Sequence, residues 1–158
     1  MTISTGDSRS APRRSRFNRF MNRWLASPFG VVSGGVSLIR YIGRVSGERR
    51  QLPVRCRKYE GGYLIRVGRF DEKTWWRNFT SPWPIEVVRG PHHVRGSAVT
   101  APGTTVRGQR IAADYFAAHH GAARRAGLPK LPKGESHTPE ALQAAAATML
   151  FVVITPDR

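Results

Sequence analysis

Acidic residues are scarce in this chain: ten Asp and Glu stand against 26 Lys and Arg, for a formal net charge of +16. Carboxylates this few, scattered over 158 residues, present no acid/base pair of the kind hydrolytic chemistry uses. Cysteine is scarcer still. Cys56 stands alone, so no internal disulfide can form, and a reducing compartment suits the composition. No apolar run approaches the roughly 20 residues that span a bilayer. The polar start lacks an apolar signal core, which predicts a cytoplasmic protein. His92-His93 and His119-His120 are adjacent pairs. Neighbouring residues point apart on a strand and share no helix face, so zinc spacing is missing and surface positions are expected.

What remains is abundant arginine on a globular framework. Lysine supplies only four of the basic residues and arginine the other 22. A field this positive favours anionic partners: nucleic acid, acidic lipid, or a phosphorylated small molecule. Apolar content of 40% and a length of 158 residues fit one domain with a real core. Residues 1–14 read as a disordered basic tail, leaving a single domain over 15–158. Residues 8–47 hold eight Arg and no acid. Within them Phe17, Phe20, Met21, Trp24 and Leu25 recur at helical spacing, with Arg16, Arg19 and Arg23 between. The pattern predicts an amphipathic helix ending near Ser27-Pro28.

From residue 36 the period changes. Val36 to Ile42 is β-rich, and Leu52, Val54 and Cys56 alternate with Pro53, Arg55 and Arg57 as in a half-buried strand. Glu60-Gly61-Gly62 predicts a hairpin turn leading to Tyr63, Ile65 and Val67 on one face. A short helix is expected over Asp71 to Phe79. A second hairpin, Ile85 to Val88 and Val94 to Thr100, turns about Gly90-Pro91. Helices follow over Arg110 to Ala118 and from Thr138-Pro139-Glu140, where Thr suits the N-cap, Pro the first turn and Glu the dipole. Met149 to Ile154 reads as a strand buried on both faces. Together these predict an α+β domain around a small barrel-like antiparallel sheet.

Two constellations could bind anions. In Gly43-Arg44-Val45-Ser46-Gly47-Glu48-Arg49-Arg50, glycines that tolerate positive φ, a hydroxyl and three forked guanidinium groups suit phosphate or carboxylate oxygens. An Arg-rich solvated hairpin turn would look the same. Further on, Arg66, Arg69, Lys73 and Arg77 surround Trp75 and Trp76. With the hairpins adjacent, Arg69 and Lys73 would continue the charge along one groove and a flat ring would rest near a tryptophan. Equally, one Trp belongs in the core and the other over the sheet edge. Asn78 serves a turn as readily as a ligand, and Cys56 reads as a small core residue.

In order and spacing, these pieces resemble the deazaflavin (F420)-dependent nitroreductase and quinone reductase family of split β-barrel flavin-binding proteins. The matching residues are Ser27-Pro28-Phe29-Gly30, Gly43-Arg44-Val45-Ser46-Gly47 with Arg50 and Pro53, and Tyr63-Leu64-Ile65. Trp75-Trp76-Arg77-Asn78-Phe79, Pro84-Ile85-Glu86-Val87 and Val152-Val153-Ile154-Thr155-Pro156 complete them. The resemblance implies a split barrel of about six mostly antiparallel strands, with the amphipathic helix and others packed outside it. It implies F420 as cofactor, with FMN the second choice, and hydride transfer from F420H2 to a quinone, nitro compound or activated alkene. On that pattern Arg44, Ser46, Gly47 and Arg50 hold phosphate and tail, while Pro53 and Val54 flank the ring. Arg69 matches a basic phosphate contact, and Trp75 and Asn78 shape the pocket. Val45 departs from the family's second basic residue, with Arg49 as its replacement. Arg55 stands where a substrate-side tyrosine is expected.

Two other classes compete. A non-enzymatic basic protein could bind nucleic acid through Arg and exposed aromatics, yet the chain carries no recognition-helix, zinc-finger or RNP signature, so no specific nucleic acid is expected. Residues 15–26 could also rest on anionic lipid at the inner face of the membrane, which is compatible with a small-molecule electron acceptor such as a quinone.

Overall fold

The computed structural model describes residues 35–158. The basic tail, the amphipathic helix and the Ser27 to Gly30 match lie outside the described residues. Six strands form the sheet: β1 (Val36–Ile42), β2 (Arg49–Tyr59), β3 (Gly62–Arg66), β4 (Trp83–Arg89), β5 (His92–Pro102) and β6 (Leu150–Pro156). All pairings are antiparallel, and the order β1-β2-β3-β6-β5-β4 closes on itself as a barrel. Three helices, α1 (Val106–Ala118), α2 (His120–Arg125) and α3 (Pro139–Ala146), lie between β5 and β6 in sequence. The α+β barrel expected from the sequence is the architecture found.

Side-chain alternation builds two cores. Facing inward are Ile39 and Tyr41 of β1, Cys56 of β2, Ile65 of β3, Ile85 and Val87 of β4, Ala98 of β5, and Val152 and Ile154 of β6. Leu52 and Val54 pack against that cluster. The opposite faces of β3 and β6, with Leu64, Phe151 and Val153, pack against Ile111, Ala112 and Phe116 of α1 and Ala145 and Ala146 of α3. β6 is therefore apolar on both sides because it separates the two cores, and its residues Leu150 to Ile154 are buried without interruption.

Local chemistry sets the turns. The β2–β3 hairpin turns at Glu60 (φ 45°) and Gly61 (φ 78°), the paired left-handed geometry that right-twisted strands prefer. α1 begins at Val106, four residues ahead of the expected start, because Thr105 caps it: its Oγ1 accepts the Gly108 N–H at 3.1 Å and donates to the Pro102 carbonyl at 2.7 Å. α2 had no sequence signal beyond alanine content. The helix expected over Asp71 to Phe79 shrinks to a 3₁₀ turn at Trp75–Phe79. The Trp76 indole donates to the Phe70 carbonyl at 2.8 Å and Asn78 Nδ2 to the Trp75 carbonyl at 2.7 Å, side-chain bonds that compete with a longer helix. No helix among the described residues is long and apolar enough to cross a membrane.

Candidate functional site

The closure between β1 and β4 is short. They pair only through Leu38–Val88, Ile39–Val87 and Arg40–Glu86. Continuing that register would set Ile42 opposite Pro84, which has no N–H to give. The Ile42 carbonyl is taken instead by the Trp83 indole at 2.7 Å. Beyond Arg40 the strands part, and a cleft of about 710 Å³ opens at the seam.

Tyr41 and Ile85 from the inner core reach this cleft, and Arg40, Arg49, Arg50 and Arg95 line it with Glu86 and Asp157. Glu86 is already engaged, with Arg40 at 3.5 Å and His93 at 3.2 Å. Arg50 pairs with Glu48 at 2.9 Å, but both are more than half exposed, so the pair is weak and exchangeable. Burial raises the Tyr41 phenol above its ordinary value of 10, and the charge of Arg50 offsets this only in part. At neutral pH Tyr41 keeps its proton and remains a hydrogen-bond donor.

The Gly43 to Glu48 loop beside the cleft is closed upon itself. Gly43 N–H donates to the Glu48 carbonyl and Gly47 N–H to the Gly43 carbonyl, each at 2.8 Å. Glu48 N–H reaches Ser46 Oγ at 3.3 Å. Gly47 adopts the left-handed conformation (φ 68°), as expected, whereas Gly43 does not take a positive φ, and a Cβ there would clash only with the rotatable Ser46 hydroxyl. The backbone donors at 43, 44, 47 and 48 are thus satisfied within the protein. Four of the loop's N–H groups are therefore not free to form an anion nest.

Arg44 is occupied too. Its backbone N–H donates to Asn78 Oδ1 at 2.8 Å and its Nε to the Asn78 carbonyl at 3.0 Å. Nη1 reaches Ser81 Oγ at 2.6 Å and Nη2 the Ser81 carbonyl at 2.8 Å, while the guanidinium stacks 4.4 Å from the centre of the Trp83 ring. Arg44 and Asn78 therefore join the loop to the 3₁₀ turn.

The other expected residues divide. Pro53 stands opposite Leu38, whereas Val54, the next residue along the strand, packs against the inner core; their side chains cannot flank one ring together. Trp75 packs against the inner core, edge to face with Phe79 at 6.2 Å, and Trp76 packs there as well. Arg69 turns to Glu72 at 3.3 Å, and neither it nor Lys73 lines the cleft. Of the expected cofactor residues, the cleft gathers Arg49 and Arg50. Arg40, Tyr41 and Arg95 were not anticipated, although Pro84, a proline inside a strand pattern, marks where the ladder must open.

No family model matches the chain, and no curated protein matches it. Among solved structures, HupZ of Group A Streptococcus is 10% identical, with 86% of this chain and 89% of that one covered and a TM-score of 0.47. A FAD-binding protein of Mesorhizobium loti is 14% identical, covering 81% and 85%, with a TM-score of 0.42. An F420 reductase is 12% identical, covering 87% and 93%, also with a TM-score of 0.42. These likenesses concern the course of the chain and bear on no residue of the site.

Proposed function

We propose that this protein is a flavin-type oxidoreductase that binds F420 at the barrel seam and delivers reducing equivalents to a quinone, nitro compound or activated alkene. The observation that carries the reading is the cleft itself. Its volume lies within the usual range for small-molecule sites, its floor is an aromatic and aliphatic core, and four arginines face two carboxylates at its rim. A flat ring with a polyanionic extension has the matching chemistry. Arg49, Arg50 and Arg95 would hold anionic oxygens through forked donors. Tyr41, a neutral phenol whose proton burial holds more tightly still, would donate to a carbonyl or nitro oxygen as charge builds on it. When bound in its reduced form, F420 supplies a hydride; the chain supplies binding, orientation and that hydrogen bond.

The test is titration of the protein with F420, F420H2, FMN and FAD, followed by cofactor fluorescence. Saturable 1:1 binding of F420 or its reduced form is expected. Replacing both Arg49 and Arg50 with Ala should weaken it at least ten-fold, since hydrogen bonds to charged groups contribute about 1.5–3 kcal/mol each. Failure of all four cofactors to bind refutes the reading, and unchanged affinity in the double variant removes the seam cleft from it.

A further inference from the structure

A second cationic depression lies further along β2, on its outer face. Arg55 and Arg57 of β2, Arg66 of β3 and Arg125 of α2 converge on a cavity of about 450 Å³, walled by Tyr115 and His119 of α1 and its C-cap. Arg55 and Arg66 flank the Cys56–Ile65 pair of adjacent strands, a placement that sets like charges across from each other and costs stability. Among the described residues no carboxylate lines the cavity. Elsewhere Arg50, Arg69 and Arg110 each hold a Glu, while Arg49, Arg77, Arg95, Arg107 and Arg124 pair with no carboxylate among the described residues. What marks these four is that they converge: none pairs with a carboxylate among the described residues, and the Arg57 guanidinium lies 5.8 Å from the centre of the Tyr115 ring. Tyr115 and His119 are themselves stacked, with centroids 4.5 Å apart and planes 17° from parallel. The stack is fixed by the His119 ring nitrogen against the Tyr115 carbonyl at 2.9 Å.

We propose that this cavity binds a diphosphate attached to a planar ring, of the nucleoside diphosphate class, at a site separate from the seam cleft. Converging guanidinium groups that hold no protein anion match a compact multivalent anion, and their forked donors suit phosphate oxygens. The stacked pair offers a planar wall for the ring. Separation follows from the strand: Arg49 and Arg55 are six residues apart, on the order of 20 Å at the usual rise.

Isothermal titration with ADP and with inorganic pyrophosphate tests this, using the wild-type protein and the variants R55Q/R125Q, R57Q and R49A/R50A. ADP should bind at 1:1, several-fold tighter than pyrophosphate because the ring contributes. R55Q/R125Q should weaken ADP at least ten-fold and R57Q several-fold, while R49A/R50A should leave it unchanged. These arginines are on the surface, and circular dichroism verifies that each variant is folded. No saturable ADP binding at millimolar concentration overturns the proposal. So does equal loss in R49A/R50A, which would make the two clefts one site. Binding of a single-stranded oligonucleotide that R55Q/R125Q abolishes, with ADP inert, would overturn it in favour of a nucleic-acid surface. Because R49A/R50A reports on the seam and R55Q/R125Q on this cavity, either proposal can fail while the other stands.

Discussion

Arg44 and Asn78, 34 residues apart, are tied by two hydrogen bonds, backbone N–H to side-chain oxygen at 2.8 Å and Nε to backbone carbonyl at 3.0 Å. Asn78 also donates to its own turn through Nδ2, so a single amide both shapes the 3₁₀ turn and receives the loop. Replacing Asn78 with Ala leaves the Arg44 N–H without its acceptor, at a cost of about 1–3 kcal/mol. Urea unfolding should show that loss. Hydrogen exchange should show faster exchange at residues 43–48, with β6 unchanged. Unaltered exchange in the loop would mean that something else holds it.

Trp83→Phe tests how the seam is kept open. The variant keeps an aromatic ring under Arg44 but removes the donor to the Ile42 carbonyl. A loss of about 1 kcal/mol is expected, together with faster exchange at Tyr41 and Ile42. A seam that behaves identically without the indole N–H would assign its geometry to Pro84 alone.

Gly108→Ala should be severely destabilising although alanine is the better helix former. The helical preference favours Ala by roughly 0.5–1 kcal/mol. Against it, a Cβ at Gly108 would lie 1.8 Å from the Pro102 carbonyl oxygen, and backbone at the end of β5 cannot yield cheaply. A net loss of about 3 kcal/mol, read from the denaturation midpoint, is the expected result. A neutral substitution would show that α1 can slide on the sheet.

Cys56 is 2% exposed, and its thiol is pushed up to about 12, first by burial, with a hydrogen bond to Ser37 and the charge of Arg89 opposing. The native thiol should therefore resist iodoacetamide at pH 8 and react only after unfolding. Its folded value lies above the ordinary 9.0. The stabilising contribution is thus complete below about pH 9 and declines as pH rises toward 12. Stoichiometric alkylation of the folded protein would contradict this burial.

Most strands were legible because inward and outward residues alternate cleanly, as in Leu52, Val54 and Cys56 against Pro53, Arg55 and Arg57. β6 was legible for the opposite reason, an unbroken apolar run that only a strand between two cores explains. The loop's arginines stood out by their number, but their employment could not be read from spacing. Whether Arg44 meets a ligand or the Ser81 carbonyl depends on a contact 37 residues away. Position in sequence also concealed the two cationic clefts. One strand, β2, carries Arg49 and Arg50 to the seam and Arg55 and Arg57 to a different neighbourhood, and only strand pairing and α2 reveal the division. Tyr41 looked like one more β-rich residue until the parting of β1 from β4 placed it beneath an opening.

The position of β6 sets a timetable for synthesis and folding. It is inserted between β3 and β5, pairing Tyr63 with Ile154 and Val99 with Val153, so the ring cannot shut until about 50 residues after β5 has been made. Until then two strands present bare edges, the condition under which nascent chains stick to one another. Closing such distant pairs late also makes folding slow for a domain of this size. A truncation ahead of Leu150 would hold the chain in that vulnerable state permanently, and its expected fate is capture by chaperones or aggregation.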